Sequence, residues 1–393
     1  MSTRTTHRSP VGAPSGSPVG APSGSPVEAP SGSLSASLSG ETVVGQLADE
    51  LWDAVSAADE YTAVEVVLGA LERGVDPESV LLDVIARVQG KVGEEWAANR
   101  LSVAQEHAAT AINERAVAAL SLHPATRTTP TRGRITVACV DGEWHALPAR
   151  LLAEVLTLRG WQVDYLGAQV PAPHLIAHLH RTDSDAVALS SSIATRLPTA
   201  HAAITACQAV GVPVLVGGAA FGPDGRYAFL LDADAWAPDA RAAADRLAQG
   251  PLPRPRADHQ QMDDLPHLAD QEYTLITRNS ASLVRGVFTA LQDAFPAMRT
   301  YSELKLERTA EDLAHIVDFL STALYLGDED LFAGFITWTA QILSARGVPA
   351  SSLPPTLAAL ARELKDFPRA TRILERGAEA LTPVDHSTAE SRS

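Results

Sequence analysis

The chain is short of cysteine, of basic charge, of aromatic residues and of long apolar runs. Only Cys139 and Cys207 are present among 393 residues, both inside apolar stretches. That excludes a disulfide framework and fits reduced, buried thiols in a cytoplasmic protein. Lys and Arg number 31 against 47 Asp and Glu, a formal net charge of −16. Broad electrostatic attraction to nucleic-acid phosphates or anionic lipid is therefore not expected, and no Lys/Arg cluster suggests a local patch. The N-terminus lacks the apolar core of a signal peptide. The most membrane-like window, "AAITACQAVGVPVLVGGAAFG" (202–222), is broken by Gln208 and by Gly211-Val212-Pro213. It reads as a helix end, a turn and a buried strand rather than a membrane span.

What is present is organised in blocks. Residues 1–40 repeat "SPVGAPSG" at 9–16 and 17–24 and "SPVEAPSG" at 25–32, a Pro/Gly/Ser composition with too few large apolar groups to offset chain entropy. This segment is expected to be disordered, and no helix-turn-helix can be built from it. Residues 41–125 show apolar residues three and four apart in four runs, with Asp76-Pro77-Glu78 as a helix start, which predicts a four-helix bundle. From 133 to 250 the period changes. The stretches "RITVACV", "WQVDYLG", "DAVALSSS" and "VPVLVGG" read as strands alternating with helices, the pattern of a doubly wound, flavodoxin-like parallel sheet. Residues 251–265 form a proline-rich linker, 266–382 are helical again as an all-α domain, and 383–393 read as a frayed tail.

In such α/β domains ligands bind beyond the carboxyl ends of the strands. The turns there carry Glu143-Trp144-His145 after the first strand, Ser190-Ser191-Ser192 after the third and Gly217-Gly218 after the fourth. Elsewhere, His174 and His178 sit four apart on one helix with no Glu-x-x-His or Cys pair beside them and read as an exposed face. "GAAFGPDGR" lacks the Lys-Ser/Thr of a phosphate loop, and no Gly-x-Ser-x-Gly elbow occurs.

Glu143-x-His145-x-x-Pro148, then Ser190-Ser191-Ser192-Ile193, then Gly217-Gly218 resembles the signature of cobalamin-binding domains. Pro148 stands where that signature has glycine and Ser192 where it has leucine, and proline suits the first turn of the following helix. The resemblance implies that His145 is the lower axial ligand of cobalt and that Glu143 or Asp141 orients it. It also implies that Ser190, Ser192, Gly217 and Gly218 line a slot for the displaced nucleotide tail.

A second resemblance lies in the helical block. "WAANRLSVAQEH" holds Trp96, nine residues, then Glu106-His107, which is similar to the cap of the MerR-type cobalamin photoreceptors. In that family a four-helix bundle covers the upper face of adenosylcobalamin, with the tryptophan on the adenosyl group and the Glu-His pair beside it. The resemblance makes His107 a second candidate cobalt ligand, acting after light has broken the Co–C bond.

The domain order, together with "LGDEDLFAGFITWTAQILSARGVP" (326–349), resembles the photocobilins, in which a cobalamin domain is joined to a globin-like domain binding a bilin. With no cysteine in this block, biliverdin or another bilin would be held noncovalently. The aromatics from Phe319 to Trp338 would wall it, and His315, Arg278 or Arg285 would meet its polar edge. His315 by itself fits a core, a surface or a pocket residue alike. The reading is a regulatory photoreceptor, not an enzyme, whose output passes to an unidentified protein partner or to self-association. A corrinoid carrier feeding a methyltransferase is the competing reading, and a cobalamin-storing protein is a third.

Overall fold

The computed structural model describes residues 34–255 and 265–382. The expectations for residues 1–33, for most of the linker and for the tail lie outside them. The helical cap comprises α1 (Leu34–Ser56), α2 (Glu60–Glu72), α3 and α4 (Val103–Leu122). α3 is continuous through Pro77–Ser79, a π-helical stretch Val80–Ile85 and Ala86–Ala97. Its start is the one the sequence indicates: Asp76 accepts a hydrogen bond from the Ser79 N–H, and Pro77 occupies the first turn. Ser102 and Gln105 form a capping box on α4. α1 begins at Leu34, inside the stretch whose composition suggests disorder up to residue 40. The apolar residues of "LSASLSGETVV" bring it into the helical period earlier than the Pro-rich repeat would allow.

The central domain runs β1 (Arg134–Cys139), α5 (Ala146–Leu158), β2 (Gln162–Gly167), α6 (Ala172–Thr182), β3 (Ala186–Ser190), α7 (Leu197–Ala209), β4 (Val214–Gly217), α8 (Arg226–Leu230), β5 (Ala235–Ala237) and α9 (Ala240–Ala248). The strands are parallel in the order β2-β1-β3-β4-β5. Alternation along β1 and β3 divides the core in two. Ile135, Val137, Cys139, Ala186 and Ala188 face α5, α9 and the cap, whereas Ala138, Val140, Val187 and Leu189 face α6 and α7. β5 and α8 are additions to the four strands and four helices legible in the sequence. At three and five residues both are too short to display a period.

The third domain is all-α: α10 (Glu272–Ala294), α11 (Glu303–Leu326), α12 (Glu329–Ala345), α13 (Leu353–Glu363) and α14 (Pro368–Glu379). The cap and the third domain hold opposite sides of the central domain. On the cap side, Glu78 accepts two hydrogen bonds from Arg159 (2.8 and 2.7 Å) and one from Arg241 (3.3 Å), which also pairs with Asp83 at 2.9 Å. On the other, Tyr325 and Leu326 enter the core beside α7, Tyr325 Oη lies 2.7 Å from Nδ1 of fully buried His201, and Tyr227 Oη donates to Asp328 at 2.7 Å. Among the described residues no helix is long and apolar enough to cross a membrane.

Candidate functional site

The order β2-β1-β3 reverses direction between β1 and β3, and the crevice beyond those two strands is where such sheets take ligands. Both turns at that point meet on one carboxylate. Glu143 is fully buried. Its Oε1 accepts from the His145 N–H (2.9 Å) and from His145 Nδ1 (2.5 Å). Its Oε2 accepts from Ser191 Oγ (3.2 Å) and from the backbone N–H groups of Ser192 (2.7 Å) and Ile193 (3.2 Å). Burial by itself would raise this carboxyl. The hydrogen bonds from the His145 ring and backbone and from Ser192 outweigh it and hold the group at about 2. Of the two acids the sequence offers for orienting His145, Glu143 makes the hydrogen bonds to it, and Asp141 is exposed.

Such a carboxylate fixes the His145 tautomer with the proton on Nδ1, so Nε2 is the nitrogen with the lone pair a metal needs. The His145 side chain is 22% exposed at the head of α5. Pro148 occupies the first turn of that helix, where its missing N–H breaks no ladder bond.

The serine and glycine turns are tied to the same group. Ser191 N–H donates to the Gly217 carbonyl at 3.1 Å. Gly218 has φ +99°, and a Cβ there would fall 2.2 Å from the Ser191 carbonyl oxygen. A Cβ on Gly217 would approach the Ala237 carbonyl to 3.1 Å. Gly218 thus lets the turn after β4 press on the turn that holds Glu143, and Gly217 lets β4 lie close to β5. Ser190 ends β3, buried beside Cys139 and Gly217, and Ser192 contributes its backbone N–H to Glu143. Ser191, the residue between the two singled out by motif, makes the side-chain contact. Burial pushes the Cys139 thiol up to about 12, with Glu143 adding to it, so this cysteine is packing rather than chemistry.

In the cap, Trp96 lies in the last turn of α3 at 6% exposure, and its Nε1 is buried without a hydrogen-bond acceptor among the described residues. Glu106 Oε2 lies 3.1 Å from His107 Nδ1, with His107 58% exposed. Glu106 Oε1 accepts from Thr110 Oγ1 (3.1 Å), Thr110 accepts from Gln89 (2.9 Å), and Gln89 accepts from buried Asn113 (2.8 Å). This α3–α4 network carries no local signal, because its members lie on two helices at ordinary polar positions.

In the third domain Phe319 and Phe335 stack with centroids 3.7 Å apart, and Phe335 leads to Trp338 at 6.3 Å. His315 is half-buried on α11 between Asp312 and Asp318, both at the surface; packing of protein around the two carboxyls pushes them up, and His315 opposes that by favouring their charged form. Arg278 and Arg285 are exposed on α10. The cations that act on the carboxylates flanking His315 are instead Arg196 on Asp318 and Arg346 and Arg308 on Asp312. His178, expected on an exposed face, is half-buried 3.1 Å from Asp164, which also binds Arg134.

No group of three or more His, Cys, Asp or Glu side chains among the described residues is placed to hold a metal ion. A cobalamin would bring most of its cobalt's ligands with it and would need one nitrogen donor from the protein. The His145 imidazole, held by the Glu143 carboxylate at the switch point, would be that donor, and the buried Trp96 N–H would offer the cofactor a hydrogen bond rather than a metal bond.

The fold, together with family matches over its cap and its Rossmann-like domain, supports a cobalamin-binding protein with an additional helical domain. Two family models described as B12 binding domains match residues 47–121 and 133–246. Among characterised relatives, the HTH-type transcriptional repressor CarA of Myxococcus xanthus is 31% identical over 183 residues, covering 44% of this chain and 58% of the repressor. The dimethylamine corrinoid protein of Methanosarcina barkeri is 25% identical over 209 residues, covering 52% of this chain and 97% of that protein. Of solved structures, the monomethylamine corrinoid protein of Methanosarcina barkeri superposes with a TM-score of 0.46 at 19% identity, covering 52% of this chain and 98% of that one. Both family matches end before the third domain.

Proposed function

We propose that the chain is a light sensor built on adenosylcobalamin, held from below by His145 and covered by the helical cap. The observation that carries this reading is the imidazole of His145 fixed through Nδ1 to a fully buried carboxylate at the switch point of the sheet. When bound, adenosylcobalamin supplies a weak Co–C bond that light breaks. The protein's part is positional. Glu143 would keep His145 in the ligating tautomer, Trp96 would border the adenosyl group, and Glu106 would position His107 beside it. Similarity to a repressor over 183 residues supports a regulatory role. Output passes to a protein partner or to self-association, and the third domain adds a noncovalent bilin near His315, Phe319 and Phe335.

The second reading, a corrinoid carrier for a methyltransferase, is favoured by the match to nearly the full length of the dimethylamine corrinoid protein. One experiment separates them. Absorption spectra of the full chain with adenosyl- or methylcobalamin are taken in the dark and after green light, with and without biliverdin. The sensor binds the adenosyl form more tightly and reaches a final spectrum that His107→Ala does not reproduce. Equal affinity for the two forms and an unchanged final spectrum would favour the carrier. Biliverdin should add a shifted red band, and an unaltered pigment spectrum removes the bilin from the proposal.

A further inference from the structure

Trp96 is covered by the third domain. Its ring stacks on Trp338 with centroids 6.5 Å apart at 29°, and the Arg346 guanidinium carbon lies 4.8 Å from the ring centroid. Just beyond it, Asn99 Nδ2 donates to the Ala345 carbonyl at 3.4 Å. All three partners come from the C-terminal half of α12 or its cap residue, so one stretch of one helix grips the end of α3. At 6% exposure the indole has no face left for another planar group. The grip is imperfect, since Trp96 Nε1 stays buried without an acceptor among the described residues. A buried indole N–H ordinarily finds one. The hydroxyls and ring nitrogens of a nucleoside are acceptors of that kind.

We propose that Trp338 and Arg346 compete with the nucleoside on the upper face of the corrin for the ring of Trp96, so that seating the cofactor loosens the third domain. The inference rests on the assignment of Trp96 to the upper face. Coupling of this kind is reciprocal: whatever the nucleoside costs the grip, the grip costs the nucleoside. The consequence reaches further into the third domain, because Trp338 continues through Phe335 to Phe319 on α11, the helix whose Tyr325 docks on His201. Loss of the nucleoside in light would restore the grip, giving the third domain two positions distinguished at Trp96.

Two measurements on the full chain test this. W338A and R346A should each tighten adenosylcobalamin binding by about 3- to 10-fold. Methylcobalamin affinity should stay at the parent value, which also reports an intact fold. Arg346→Lys should fall between. Hydrogen exchange at the amides of residues 341–346 should quicken when adenosylcobalamin is added in the dark and not when methylcobalamin is added. Weaker or unchanged adenosylcobalamin binding in both variants, or exchange that slows, would overturn the competition. If W96A loses the adenosyl preference while W338A and R346A are silent, the inference fails and the light-sensor reading stands. If the parent binds no cobalamin, both fail.

Discussion

Glu143 holds a charge at zero exposure because the chain surrounds it with five donors, two from its neighbour His145 and three from the turn after β3. A buried carboxylate left with fewer partners would protonate, and a neutral acid would no longer enforce one tautomer on the imidazole. Its folded value of about 2 lies below the ordinary 4.5. The stabilisation it provides is therefore complete above about pH 4.5 and is lost as pH falls through the interval down to about 2. On the order of 3 kcal/mol should disappear across that interval. Glu143→Gln cannot titrate, so urea unfolding of the variant should show a flatter pH dependence there. Equal slopes in parent and variant would mean that the carboxylate is not the group that is stabilised.

At the level of elements, three turns act as one unit: the turn after β4 presses on Ser191, and Ser191 and its neighbours hold Glu143, which holds His145. Gly218→Ala adds a Cβ where the Ser191 carbonyl stands, at a φ of +99° that already strains an L-residue. It should cost about 1–3 kcal/mol and weaken cobalamin binding although it touches no ligating atom. Gly74, at φ +80° with open space around it, is the control: Gly74→Ala should cost about 1 kcal/mol and leave binding alone. Thermal unfolding and a cobalamin titration of the two variants decide the matter, and comparable binding losses in both would break the chain of contacts. Much of this unit was legible in the sequence, since an acid two residues before a histidine, a serine run and a glycine pair fall at the ends of the first, third and fourth strands. The choice of Glu143 over Asp141, and the part of Ser191, required burial and direction that spacing does not encode. The grip on Trp96 was illegible, because Trp338 and Arg346 are helix residues far along the chain with no local signature. β5 escaped because three residues between turns show no alternation.

Over the whole molecule, the central domain carries an ion-paired cap on one side and a helical domain docked through Tyr325 and Tyr227 on the other. Both reach past it to meet at Trp96, at the end of α3. A cofactor anchored at His145 and reaching the cap would thus be read by all three units at once, which is the arrangement a switch needs and a simple store does not. All of this depends on His145 being the donor to cobalt. The direct test is a dark titration of adenosylcobalamin into the full chain, parent and His145→Ala, followed by absorption. The parent should bind one corrinoid per chain with the spectrum of histidine-ligated cobalt, and His145→Ala should bind more weakly or show the cofactor coordinated by its own base. Identical affinity and spectrum in the two proteins would contradict the account.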